Sequence, residues 1–166
     1  MAHKDNLLKN LSFGIISVSS TRGIKEDKSG DWIKAAAEKN GHNVVYRSMA
    51  KDDKDDIITK VFEALNSVET DALIITGGTG VSEKDITVES VSPLFEKTLT
   101  VFSTIFAMVS YNKIGTPAIL SSACAGIIKK KAVFLIPGSI NACKDACNEI
   151  IFPEIGHMVK HLRQKD

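Results

Sequence analysis

The residues best suited to chemistry lie in the middle of the chain, where an apolar run meets a glycine-rich turn and an acidic loop. The run at 72–76 is short, apolar and rich in β-branched residues, which predicts a buried parallel strand. Gly77, Gly78 and Gly80 follow it directly. Because glycine allows positive φ and has no Cβ, backbone N–H groups of such a turn can converge on an anion. With the carboxylate of Asp85, the segment predicts a site for phosphate and a metal ion.

A glycine pair after a strand can also form a tight turn that binds nothing, and this simpler interpretation stays open. The turn has neither the GxxxxGK[ST] spacing of a P-loop nor the GxGxxG spacing of a dinucleotide fold. Thr87, which follows the acidic loop, has a side chain that can cap the next helix. A more particular explanation than a general nucleotide motif is therefore needed.

Small polar or acidic residues also stand where several other predicted strands end. In open α/β sheets, ligands bind in the crevice at the carboxyl ends of the strands, so these residues predict one site for an anionic ligand. Hydroxyl and backbone N–H groups suit phosphate oxygens, while Asp52 and Asp85 suit a Mg²⁺ ion that screens them. Asp52 alone could equally be a helix N-cap. Outside the glycine turn, the crevice residues are Ser19, Ser20, Thr21, Asp52, Asp85, Ser121, Ser122, Gly138 and Ser139.

The elements that must position these residues alternate between strand-like and helix-like patterns. This order predicts an α/β fold with a mostly parallel sheet and helices on both faces. The apolar segment 101–111 is expected to form a buried helix. The predicted strands are 13–18, 42–49, 72–76, 117–120 and 132–136, and the predicted helices are 28–39, a segment around 57–65, 101–111, 141–151 and a last one after Pro153.

Length and charge limit the classes of function. At 166 residues with 43% hydrophobic residues, the chain suits a single domain, expected at 11–166 after a polar tail at 1–10. Its formal net charge of +1 comes from mixed charges without a basic stripe, so no nucleic-acid partner is expected. No signal peptide or membrane-length apolar segment is apparent, so we expect a cytoplasmic protein without a membrane partner.

The cysteines and histidines form no recognised metal motif. Cys143 and Cys147 lie four positions apart in a predicted helix and are expected to pack in the core. The odd number of cysteines fits a reducing compartment. Two histidines near the C-terminus are i, i+4 neighbours but lack the glutamate of an HExxH motif. All four histidines are expected at the solvated surface: His3, His42, His157 and His161.

Taken in order, the motifs of this chain match those of one family. The chain resembles the molybdenum cofactor biosynthesis proteins MoaB and MogA, whose domain also occurs in gephyrin-like proteins, over nearly its whole length. The resemblance implies a three-layer α/β/α sandwich like the molybdopterin-binding domain, usually assembled as a homotrimer, with a hexamer left open. The matching motifs are DKSG at 27–30, Lys51-Asp52, GGTG at 77–80 followed by Asp85-Ile86-Thr87, Ser110, and Pro137-Gly138-Ser139.

The resemblance also implies an activity, namely the Mg²⁺-dependent transfer of AMP from ATP to molybdopterin, with release of pyrophosphate. A downstream metal-insertion protein is then an expected partner, and molybdenum and tungsten both remain open as the eventual metal. Carried over to this chain, the functional carboxylates and Mg²⁺ ligands are Asp52 and Asp85. The implied contacts to nucleotide or pterin are Gly77, Gly78, Thr79, Gly80, Ser19, Ser20, Ser110, Ser121, Gly138 and Ser139.

This chain departs from the family pattern in one region, and each departure removes a charge. Where family members commonly read GFGExFR, residues 101–107 read VFSTIFA, so that Thr104 and Ala107 replace an acid and a base. Ser122 stands where an arginine is expected. Three interpretations stay open: a working nucleotidyltransferase, a paralogue that binds pterin or nucleotide without turnover, and an enzyme whose apolar helix has joined a wider subunit interface.

Overall fold

The computed structural model describes residues 8–21, 23–67 and 69–164. A six-stranded sheet in the order β2-β1-β3-β6-β5-β4 forms its centre. The first four strands in that order are parallel to one another, and β5 and β4 each run antiparallel to the neighbour before them. The mostly parallel sheet is therefore confirmed. The strands are β1 (Ser12–Val18), β2 (Asn43–Ala50), β3 (Ala72–Thr76), β4 (Lys97–Thr98), β5 (Cys124–Ile128) and β6 (Lys131–Ile136).

Helices cover both faces of this sheet. Side chains of a strand alternate between its two faces, and β3 shows the consequence: Ala72 and Ile74 belong to one core, whereas Leu73 and Ile75 belong to the other. The first core is closed by α1, α4, α5 and α6, and the second by α2 and α3. The three-layer α/β/α sandwich is thus confirmed. The helices are α1 (Lys28–Lys39), α2 (Lys54–Asn66), α3 (Thr87–Val91), α4 (Thr100–Ile114), α5 (Ile140–Ala146) and α6 (Phe152–Arg163).

The strand predicted at 117–120 is wrong. Thr116–Leu120 forms a 3₁₀ helix, and the strand of this region is β5, which begins after it. The apolar TPAIL run resembles a strand, whereas the CAGII sequence of β5 includes small residues of low strand propensity. Gly126 is required there, because a Cβ at this position would lie 2.2 Å from Cγ of Phe95. Tertiary packing therefore overrides the local pattern.

The helix at 101–111 is present as part of α4, but the expectation that it is buried is wrong for this chain alone. Phe102 and Phe106 are buried against the sheet, whereas Val101 and Met108 are 64% and 61% exposed. The two helices expected after residue 140 run on without a break, since one turn of π-helix at Cys147–Ile151 joins α5 to α6. Pro153 lies directly after this π-helical turn, at the start of α6, and does not break the continuous helix although it lacks a backbone N–H.

Several smaller predictions have mixed outcomes. Cys143 and Cys147 are buried, as expected. His42 is buried instead of solvated, because its ring packs 5.2 Å from that of Phe13, and burial lowers its pKa. The surface prediction holds for His157 and His161, whereas His3 and most of the predicted tail lie outside the described residues.

In the described part of the chain, no helix is both long and apolar enough to cross a membrane.

Candidate active site

A cleft of about 430 Å³ opens at the carboxyl ends of the parallel strands. It is built from the segments that follow β1, β2, β3 and β6, as expected for an open α/β sheet. Ten of the residues expected from the sequence to form the crevice line it: Ser19, Thr21, Asp52, Gly77, Gly78, Thr79, Gly80, Asp85, Ser121 and Gly138. The remaining lining residues are Val18, Lys84 and Pro137.

The glycine turn after β3 has a shape that only glycine accommodates. Gly77 and Gly78 have φ values of +100° and +65°, and a Cβ on Gly77 would lie 2.5 Å from the carbonyl oxygen of Val18. Thr87 fastens the turn, since its Oγ1 donates to the Gly77 carbonyl at 2.8 Å and its N–H donates to the Gly78 carbonyl at 2.9 Å. Thr87 is therefore not a side-chain cap of α3, as the sequence suggested. Its two hydrogen bonds instead hold the glycine turn in place.

Asp85 is oriented by its own loop. Its Oδ2 accepts hydrogen bonds from the N–H and the hydroxyl of Ser82, at 3.1 and 2.8 Å. Gly80 leaves room for this carboxylate, because a Cβ there would come 2.6 Å from Oδ2. Among the described residues, Oδ1 of Asp85 accepts no hydrogen bond. The loop thus fixes one carboxylate oxygen and presents the other for a ligand.

Asp52 approaches the cleft from the opposite side, at the end of β2. Its Oδ2 accepts from the N–H of Ser20 at 2.7 Å, and its own N–H donates to the Ser20 hydroxyl at 3.0 Å. Ser20 therefore holds Asp52 in place, although it does not itself line the cleft. The N-cap interpretation of Asp52 is wrong, since the cap of α2 is Asp53, which accepts from the N–H of Asp56.

The segment before β5 closes the third side. Gly80 pairs with Ser121 as an isolated antiparallel bridge, and the N–H of Ser122 donates to the Thr79 carbonyl at 2.8 Å. Thr79 is 4% exposed, and its hydroxyl has no hydrogen-bond partner within the described residues. A buried hydroxyl without a partner is costly, so a ligand atom within reach of Thr79 would relieve that cost.

A second cleft of about 260 Å³ adjoins the first, and Ser121 lines both. Ser110, expected from the sequence in the main crevice, lies in this second cleft, as do Ala107 and Ser122. Thr104 lines neither cleft. None of the residues that line the second cleft is charged: Ser103, Phe106, Ala107, Ser110, Ala118, Ile119, Ser121, Ser122 and Ala123.

Ser139 also lies outside both clefts. Its hydroxyl accepts from the N–H of Ala142 at 3.2 Å and caps α5. Among the residues that sequence reasoning assigned to the crevice, four are therefore not in the main cleft: Ser20, Ser110, Ser122 and Ser139. Ser20 supports a lining residue, Ser110 and Ser122 line the adjoining cleft, and Ser139 caps a helix.

Next to the cleft lies an ionic network around the buried Asp27 that the sequence analysis did not assign. Asp27 is the N-cap of α1, and its Oδ2 accepts from the Ser17 hydroxyl at 2.7 Å and from Arg47 at 3.1 Å. Burial disfavours charge on Arg47, but hydrogen bonds to Asp31 and Asp27 outweigh this effect and raise its pKa. The hydroxyl of Ser29 donates to the carbonyl of Gly138 at 2.8 Å. The DKSG motif therefore ties the start of α1 to the wall of the cleft.

Lys84 is the second feature that sequence reasoning missed. It is the only basic residue among the described residues that line the main cleft, and it is exposed there. Within the described part of the chain its ammonium group makes no ion pair. The only sequence signal was its position directly before Asp85, because lysine is common at protein surfaces.

The donor set fits a Mg²⁺ ion that is shared with a bound phosphate. Mg²⁺ in nucleotide sites is typically held by one or two carboxylates together with substrate phosphates and water. Asp52 and Asp85 supply two carboxylates to one cleft. The described residues contain no group of three or more His, Cys, Asp or Glu side chains that could hold a metal alone. The cleft therefore suits a cation that arrives with its ligand.

The comparison with known families agrees with this arrangement. A family described as a probable molybdopterin binding domain matches residues 14–157, which carry every residue of the cleft. The chain belongs to this family of molybdenum cofactor biosynthesis proteins. Its members in other organisms match the chain nearly end to end.

Two relatives and one solved structure illustrate the similarity. Molybdenum cofactor biosynthesis protein B of Bacillus subtilis is 40% identical over 163 residues, which cover 98% of this chain and 96% of the relative. Molybdopterin adenylyltransferase of Pyrococcus furiosus is 41% identical over 168 residues, with 98% and 97% covered. A crystal structure of a molybdenum cofactor biosynthesis protein B superposes with a TM-score of 0.92 at 37% identity, covering 95% of this chain and 98% of that chain.

Proposed function

We propose that this protein transfers AMP from ATP to molybdopterin, giving adenylylated molybdopterin and pyrophosphate. The observation that carries the proposal is the convergence of Asp52 and Asp85 on one cleft beside the Gly77–Gly80 turn. Carboxylates next to an anion-binding turn would repel phosphate unless a cation lay between them. The name of the Pyrococcus furiosus relative supports the same activity.

In the proposed reaction, an oxygen of the terminal phosphate of molybdopterin attacks the α-phosphorus of ATP. The new P–O bond joins the pterin to AMP, and the bond from the α-phosphorus to the bridging oxygen breaks, so that this oxygen and its electron pair leave with pyrophosphate. Phosphoryl transfer of this kind depends on positioning and on screening of charge more than on covalent catalysis. The rigid turn and the oriented carboxylates suit that requirement.

The residues of the cleft would divide this work. Asp52 and Asp85 would hold Mg²⁺ through the carboxylate oxygens that accept no hydrogen bond from the described residues. When bound, Mg²⁺ supplies screening of the phosphate charges and withdraws electron density from the reacting phosphorus. The N–H of Gly77 donates to the carbonyl of Ile136 at 3.0 Å, so the backbone N–H groups of Gly78, Thr79 and Gly80 are the ones that would bind phosphate oxygens. Lys84 would add a positive charge, which the other described residues that line the cleft do not carry.

Hydroxyl groups would provide the remaining contacts. Ser19, Thr79 and Ser121 line the main cleft and would supply hydroxyl groups to the ligand. Ser110 would contact a part of the ligand that extends past Ser121 into the adjoining cleft. Because no charged side chain lines that second cleft, it suits an uncharged ring better than a phosphate.

The uncharged second cleft also favours another candidate function. A paralogue that binds pterin or nucleotide without turnover would keep the main cleft and lose charged groups next to it. Ala107 and Ser122, which stand where family members carry basic residues, both line the second cleft. Binding of either substrate without formation of pyrophosphate would support this candidate over the transferase.

We further propose that the protein works in the cytoplasm as a homotrimer, or as a hexamer built from trimers, and passes its product to a metal-insertion protein. Free thiols at Cys124, Cys143 and Cys147 suit a reducing compartment. The exposed apolar face of α4 suits contact with other copies of the chain. This proposal includes the third interpretation, in which that face widens a subunit interface.

The activity is tested by incubating the purified protein with molybdopterin, ATP and Mg²⁺ and measuring adenylylated pterin and pyrophosphate. We expect both products in equal amounts, and neither product with Asp85→Asn or when EDTA replaces Mg²⁺. Asp53→Asn serves as the matched control, because its carboxylate caps α2 away from the cleft. Saturable binding of the substrates without product would contradict the transferase and leave the binding paralogue.

A further inference from the structure

Two histidines on the exposed side of α6 bring their ring nitrogens together. His157 and His161 are four residues apart, so they lie on the same face of the helix. Their Nε2 atoms are 2.9 Å apart, and their ring centroids 4.6 Å. Both side chains are exposed, while Ile155 and Val159 anchor the opposite face of the helix in the core. The pair is therefore held on a rigid element and open to solvent.

The separation of the two nitrogens fits a shared metal ion. Imidazole nitrogens bind ions such as Zn²⁺ at about 2.0–2.1 Å, and two nitrogens at a right angle around one ion are then about 2.9 Å apart. Right-angled ligands are typical of octahedral and square-planar ions, among which Ni²⁺ and Cu²⁺ accept imidazole. We propose that His157 and His161 form a surface site for a divalent transition-metal ion, separate from the cleft. A hydrogen bond between two neutral rings gives the same distance, so the two explanations need an experiment.

A neighbouring carboxylate supports the metal interpretation. Oε2 of Glu154 lies 3.8 Å from Nδ1 of His157, on the side of the ring that faces away from His161. Histidines that bind metals usually have a carboxylate or carbonyl at the other ring nitrogen, which sets the tautomer. At 3.8 Å the carboxylate is beyond hydrogen-bond distance, so Glu154 would take this role after a small movement of its exposed side chain.

The surrounding charges permit a cation here. His161 lies in the last turn of α6, where the helix dipole favours positive charge. Arg163, in the same turn, is engaged 2.6 Å from Asp71. Lys160 is the remaining basic group of that turn and opposes the site. The described residues contain no group of three or more His, Cys, Asp or Glu side chains that could hold a metal, so the proposed site rests on the two imidazoles.

The test uses Ni²⁺ as the probe, measured by isothermal titration calorimetry with excess Mg²⁺ present to occupy the carboxylates of the cleft. All proteins carry His3→Ala, because a histidine near an amino terminus can chelate Ni²⁺ by itself. We expect one Ni²⁺ per chain, no binding at the same concentrations for His157→Ala or His161→Ala, and about tenfold weaker binding for Glu154→Gln. Circular dichroism tests whether the variants remain folded. We expect that they do, because the substituted positions are exposed.

Either of two results would overturn the proposal. Absence of Ni²⁺ binding by the parent protein would mean that the two rings are joined only by a hydrogen bond. Binding that survives both alanine substitutions would place the ion at another site. Neither result depends on adenylylation, so the outcome is independent of the proposed function.

Discussion

At the scale of single residues, Asp52 and Asp53 are adjacent but serve different parts of the molecule. Asp52 lines the cleft and is held by Ser20, whereas Asp53 caps α2 through the N–H of Asp56. A reader of the sequence sees two equivalent aspartates before a helix. Only the positions of β1 and β2 in the sheet decide which of them lines the cleft.

Replacing each of these two aspartates separately distinguishes a role in activity from a role in stability. We expect Asp52→Asn to lower kcat/KM by about a hundredfold or more, because a bound metal contributes several kcal/mol of charge stabilisation, with little change in the free energy of unfolding. Asp53→Ala should cost about 1 kcal/mol of stability through loss of the cap and leave kcat/KM unchanged. Steady-state kinetics and urea unfolding of both variants measure this. Equal effects of the two variants on activity would contradict the assignment.

Lys84 provides a second prediction at this scale. We expect Lys84→Met to raise the KM for a phosphate-bearing substrate about tenfold, because a hydrogen bond from a charged group contributes about 1.5–3 kcal/mol. Lys84→Arg should restore most of the affinity, since the charge returns. Lys97→Met is the matched control, because Lys97 is exposed on β4 and does not line the cleft. If Lys84→Met and Lys97→Met behave alike, the ammonium group has no role in binding.

At the scale of elements, the glycine turn after β3 was the part of the site most open to sequence reasoning. Its glycines, Asp85 and the β-branched strand before them are local signals, and the structure places them together. The segment at Ser121 was assigned for an incorrect reason, because no strand precedes it. The buried role of Asp27 could not be predicted, since its partner Arg47 is brought beside it only when β2 pairs with β1.

Replacement of Gly78 tests the turn. We expect Gly78→Ala to lower the free energy of unfolding by more than about 1 kcal/mol, since alanine is strained at positive φ. The new Cβ would also lie 2.3 Å from Oγ1 of Thr87, which must move and release the turn. Activity should fall with stability. Gly23→Ala is the control, because a Cβ there meets nothing within 4 Å; urea unfolding of both variants measures the difference, and equal losses would contradict the prediction.

At the scale of the whole molecule, the outer face of α4 stands out. Val101, Ile105 and Met108 are 64%, 41% and 61% exposed on this helix, and Ile119 beside it is 82% exposed. The sequence analysis expected a buried helix from this composition. An apolar composition of this kind is typical of a buried helix. In the single chain, however, this face of α4 is exposed. A sequence alone cannot show whether such a face is covered by the same chain or by another copy.

Charge on this face tests the proposed trimer. We expect Ile105→Lys combined with Met108→Lys to convert the assembly to monomers, because two buried ammonium groups without partners would cost more than the apolar contacts contribute. Sedimentation velocity measures the mass. Ile24→Lys is the matched control, since Ile24 is half-exposed outside α4 and its replacement should leave the assembly intact. A monomeric parent protein, or a double variant that remains assembled, would contradict the proposal.

The cleft draws its walls from distant parts of the chain, from Val18 at the end of β1 to Gly138 after β6. A ligand that touches these walls can bind only when all the strands are in place, so its binding energy is linked to unfolding of the entire sheet. At a ligand concentration a hundred times its dissociation constant, this linkage adds about 2.7 kcal/mol to global stability. Hydrogen exchange at the buried amides of β3 should therefore slow on addition of ligand, even at amides far from the cleft. The cell's supply of substrate would then also set how long each copy of the protein survives proteolysis.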